Sequence, residues 1–248
     1  MTRFQSFFYM QCKLAARSKI ALFWSFAYPA AMLLLMLSVF GGINKAGANI
    51  NDPRLLTATG VLVITIMSGG IFALATVLSA DFATGVYDRL KITDLKPFEV
   101  ILALMLRQLL IIIMGAILVL AGAKFIFSVT PRGDFASLLL LTTIGSVLFC
   151  SIGILVANLC TRPATAAAVA NVIFLVMMFL SGSTFPKTFF PGWLKAGAQI
   201  LPASHLFDLL ALQLYDGQSI ADDLKSFSLL LAMAGVLLVA AVRTFKWK

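Results

Sequence analysis

Charge disappears from this sequence for long stretches, and the lengths of those stretches limit what the chain can fold into. Between Lys19 and Lys45 lie 25 residues without Asp, Glu, Lys or Arg; between Arg54 and Asp81 lie 26, between Asp134 and Arg162 lie 27, and between Arg162 and Lys187 lie 24. A helix rising about 1.5 Å per residue crosses a hydrocarbon core about 30 Å thick in about 20 residues. Each stretch is therefore long enough to span a bilayer. Two shorter ones, 16 residues between Arg107 and Lys124 and 17 between Lys225 and Arg243, suffice when their basic ends snorkel and, for the first, when Val100 to Leu106 join the span. Composition agrees: 61% of the residues are hydrophobic and 12% charged, too few polar side chains to cover a soluble domain. Disorder and a disulfide scaffold are excluded by that apolar fraction and by three cysteines.

Unpaired backbone groups in lipid are costly, and the alternation of a membrane barrel is missing, so the spans are helical. The expected fold is an all-α membrane protein, a single unit over 1–248 with six transmembrane helices at about 20–43, 57–80, 99–123, 136–160, 163–182 and 226–243. The first apolar run is of full length and reads as a retained span, not a cleaved leader. With both termini cytoplasmic, eleven basic residues fall on inner segments and seven on outer ones, and Arg107 lies in the third span. The positive-inside rule favours this orientation, and the net charge of +9 is then a lipid-headgroup signal, with no nucleic-acid partner indicated.

Three segments are neither span nor simple turn. Residues 3–19 place Phe4, Phe7, Phe8, Leu14 and Ala15 on one helical face and Arg3, Lys13 and Arg17 on another, which predicts an amphipathic helix at the interface; Gln11 falls on its apolar face. A basic anchor preceding the first span is the plainer alternative. Segment 81–97 alternates three acidic and three basic residues with Phe82, Val86, Tyr87, Leu90, Ile92 and Leu95, a pattern for a cytoplasmic docking helix in preference to a solvated loop. Segment 183–225 is cut by Pro186, Pro191 and Pro202 into pieces too short to cross, yet it stays apolar through Phe185, Trp193 and Leu201. It predicts short broken helices at the outer interface, at the mouth of a pathway.

Catalytic and ligand sets are almost empty. No G-x-x-x-x-G-K-[ST] loop occurs, Cys12, Cys150 and Cys160 have no metal-ligand spacing, His205 is the single histidine and Glu99 the single glutamate. No resident metal or cofactor is expected. Ser181 with His205 offers a nucleophile and a base for an intramembrane protease, but His205 follows Pro202 in an interfacial piece and reads instead as hydrogen-bonded to backbone. Arg107 either snorkels, pairs with another element or serves a pathway. Asn158 and Asn171 read as interhelical hydrogen-bonding groups near the cytoplasmic side.

Taken together, these spans and segments resemble the ABC-2 type transporter permeases over essentially the whole length. Asp81 to Leu90 is similar to the family's acidic-x-x-x-Gly-x-x-acidic-x-Leu coupling stretch, with Asp81 and Asp88 where Glu is common. Phe179-Leu-Ser-Gly182, Phe185-Pro186, Pro191-Gly-Trp-Leu194 and Leu201-Pro202 match its outer motifs. The resemblance implies a half-transporter, not catalytic by itself: two permease chains, usually identical, each docked to a separate ATP-binding-cassette subunit that carries ATP and Mg. It implies coupling through Asp81, Gly85, Tyr87, Asp88, Arg89 and Leu90 and through the interfacial helix (Phe4, Phe7, Phe8, Arg17). It also implies a pathway or outer gate at Phe23, Phe26, Phe174, Met177, Met178, Phe179, Ser181 and Phe185. The implied activity is export of an amphipathic drug, lipid or hydrophobic peptide across a bacterial or archaeal plasma (inner) membrane. Export of a polysaccharide or lipid-linked glycan is the alternative, and a non-transporting scaffold is the reading from another class.

Overall fold

The computed structural model describes residues 3–40, 53–87, 96–128, 133–160, 162–185, 187, 190–217 and 220–245, and it contains no β-strand among them. Among the described residues, six helices are long and apolar enough to cross a membrane. They are α2 (Lys19–Phe40); α3 (Pro53–Met67) continued by a π-helical turn (Ser68–Ala73) and α4 (Leu74–Ala83); α5 (Pro97–Phe127); α6 (Phe135–Leu159); α7 (Pro163–Leu180); and α10 (Leu224–Thr244). Helix α1 (Arg3–Arg17) precedes them, and α8 (Gly192–Ala198) and α9 (Pro202–Ala211) lie between α7 and α10.

Helix starts follow local chemistry. Pro97 opens α5 and Pro163 opens α7, where a missing N–H leaves no hydrogen bond unmade. The carboxylate of Glu99 accepts the Lys96 backbone N–H at 2.8 Å, so the single glutamate closes the first turn of α5. Asp223 accepts the Ser226 N–H at 3.1 Å and caps α10. The 31 residues of α5 reach about 46 Å, well beyond one hydrocarbon thickness. Residue 97, read from sequence as the end of the connecting segment, already belongs to this helix.

Burial separates two central spans from four peripheral ones. In an apolar stretch of 18 residues within the second and fourth spans 67% of the residues are buried, against 17% to 28% in the corresponding stretches of the others. Glycines bring these two together: a Cβ on Gly153 of α6 would sit 2.5 Å from the Gly70 carbonyl oxygen and 2.8 Å from that of Ile71. The π turn and Gly70 therefore let two backbones meet where no side chain fits. Helix α10 packs along α6, while α1 and α2 pack on α5.

Candidate functional site

At the end of the bundle where α4 stops and α5 begins, several polar and aromatic groups converge. Helix α4 ends with Thr84 N–H donating to the Ala80 carbonyl, and Gly85 N–H to that of Phe82. Gly85 then takes φ 68°, in the left-handed region that favours glycine. The reversed chain carries Tyr87 back onto the helix it has just left. Its phenol donates to Asp81 Oδ2 at 3.5 Å, and its ring lies 4.9 Å from that of Phe82 and 5.9 Å from that of Phe245, just past α10. Burial, and after it the neighbouring Asp81 charge, hold the Tyr87 phenol far above its ordinary range, so it remains a donor. Asp88, Arg89 and Leu90 lie outside the described residues.

Beside this turn, α1 meets α5. Phe7 and Gln11 are buried, and Phe4 and Phe8 are partly buried against the core. Leu14, assigned from sequence to the same apolar face, is 53% exposed, and Arg17 is exposed. The helix turns its 4-7-8-11 stripe to α5, and position 14 lies beyond the contact. Arg107 Nη1 donates to Gln11 Oε1 at 3.2 Å, with 7% and 5% of the two residues exposed. Arg107 therefore pairs with another element; it does not snorkel. The polar residue that interrupts the apolar face of α1 is the acceptor for the arginine in the third span. Each residue stands out in the sequence by itself, but no local pattern joins them across 96 positions.

The opposite end holds the outer motifs. Gly182 adopts φ 91°, Ser181 Oγ and Ser183 Oγ lie 2.6 Å apart, and Thr184 Oγ1 donates to the Met178 carbonyl. The Ser183 carbonyl presses so closely on Gly60 of α3 that a Cβ there could not be accommodated. Phe179 and Phe185 stack at 6.1 Å, each about half exposed. Lys187 Nζ binds both Asp208 oxygens at 2.7 Å, tying this turn to α9. His205 Nε2 is 2.8 Å from the Gln199 carbonyl oxygen. Ser181 and His205 each have another partner and form no nucleophile–base pair.

The remaining predicted pathway residues do not cluster. Phe23 is 64% exposed and packs edge-on to Trp24 at 5.8 Å. Phe26 is half-buried, whereas Phe174, Met177 and Met178 are buried in the core. The opposite face of α7 is open, carrying Ala168, Asn171, Val172, Leu175, Val176 and Phe179. Asn171 stands at the middle of α7, not near its cytoplasmic end as the sequence suggested, and it makes no hydrogen bond to a described residue. Asn158 does bond between helices, to Thr244 Oγ1 at 3.2 Å and the Ala241 carbonyl at 3.4 Å. No group of three or more His, Cys, Asp or Glu arranged for a metal occurs among the described residues.

No curated protein matches the chain. The family model described as ABC-2 type transporter matches residues 2–215, which takes in the first five spans and the outer segment through α9. The chain belongs to the ABC-2 type transporter family, as a multi-pass membrane permease that is a transport component and not itself catalytic.

Proposed function

We propose that this permease exports an amphipathic substrate, a drug, lipid or hydrophobic peptide, from the cytoplasmic side of the plasma membrane, with both termini cytoplasmic. Family membership implies partnership with an ATP-binding-cassette subunit, and ATP and Mg belong on that subunit. The observation that carries the reading is the convergence of α1, the Gly85 turn, α5 and the end of α10 at one end of the bundle. An ATPase docked on segment 81–97 would there push on four elements at once. Asn171 supports a second permease chain: a carboxamide facing hydrocarbon costs several kcal/mol unless protein or water meets it.

The test is gentle purification from native membrane followed by reconstitution in vesicles. A stoichiometric ATP-binding subunit and ATP-driven movement of a fluorescent amphiphile out of the compartment holding the termini are expected. Reproducible isolation without such a subunit favours the scaffold reading, and movement in the other direction overturns export.

A further inference from the structure

Arg107 is 7% exposed, yet among the described residues it has one hydrogen bond, to a neutral amide, and its buried Nε meets no acceptor. A buried guanidinium with an unused donor is a high-energy arrangement, since the donor has lost its water without gaining an acceptor. A carboxylate lies within electrostatic reach. Asp81 acts on Arg107 through space, but no ion pair joins them, and Asp81 Oδ2 is instead the acceptor for Tyr87. The better partner is held by the turn, and the weaker one is held by α1.

From this we infer that Gln11 and Arg107 are positioning residues of coupling, and that Arg107 exchanges Gln11 for Asp81 when the turn moves. Displacing the Gly85 turn takes Tyr87 off Asp81 and brings the carboxylate to the guanidinium, which releases α1 from α5. Room for α5 to shift exists on its other side, where a cavity of about 140 Å³ lies between α5, α6 and α10, lined by Ile101, Met105, Val147, Cys150 and Leu238. The inference rests on the permease reading, because it makes the turn the input and α1 the output.

Gln11→Glu separates exchange from simple support. A carboxylate at position 11 strengthens the contact in place; hydrogen bonds to charged groups exceed neutral ones by about 1.5 kcal/mol, which shifts an exchange equilibrium about tenfold. The variant complex should melt at higher temperature in detergent while ATP-driven transport falls about tenfold. Asp81→Asn, which removes the alternative partner, should reduce transport without that rise in melting temperature. A residue serving only as a brace predicts the same rise in melting temperature for Gln11→Glu but unchanged transport. Wild-type transport with an active Gln11→Glu variant overturns the inference alone. Should that variant fail to insert, Asp81→Asn decides, and full transport by it overturns the exchange. Absence of ATP-driven transport in the wild-type complex overturns the export reading and this inference with it.

Discussion

At Gly85 the backbone takes φ 68°, and one residue thereby decides where Tyr87 goes. A side chain in that region costs about 1 kcal/mol relative to glycine. Gly85→Ala should lower the thermal midpoint of the purified chain and loosen the Tyr87 packing on Phe82 and Phe245, read as increased Tyr87 accessibility; an unchanged midpoint would argue that the turn tolerates another geometry. This glycine was legible in the sequence because its spacing between Asp81 and Asp88 matches a motif. Gln11 was legible only as a flaw in an apolar face, since its reason for being there is an arginine on another helix.

Among the elements, α6 and the π turn meet backbone against backbone. An added methyl at Gly153 meets backbone oxygens that cannot rotate away, while one at Gly235 of α10 meets nothing within 4 Å. Gly153→Ala should cost about 1–3 kcal/mol, and Gly235→Ala should leave stability within about 0.5 kcal/mol; thermal unfolding in detergent compares them, and equal effects would refute the close approach. The start of α10 carries a pH dependence. Hydrogen bonding to Ser226 holds the Asp223 carboxyl below its usual range, so its capping contribution is complete above the unfolded value of about 3.9 and is lost as pH falls through the folded one. Asp223→Ala should cost about 1 kcal/mol at neutral pH, with the difference from wild type vanishing in acid titrations of stability.

For the whole molecule, the open face of α7 sets the expectation. If a second permease chain covers it, Asn171→Cys should form a covalent dimer with a short bifunctional thiol reagent in membranes, whereas Val236→Cys, on an exposed face of α10, should not. Crosslinking at both positions or at neither would place the partner elsewhere. Span number and helical class followed from the sequence alone because crossing lipid depends on the length and polarity of each segment, both local properties. The tertiary structure decided which spans are central, that Arg107 meets Gln11, and that Ser181 and His205 stay apart. Spans are almost equally apolar, so hydrophobicity does not choose among their neighbours. The choice falls to shape, to glycines where backbones touch, and to the few polar groups that must find one another.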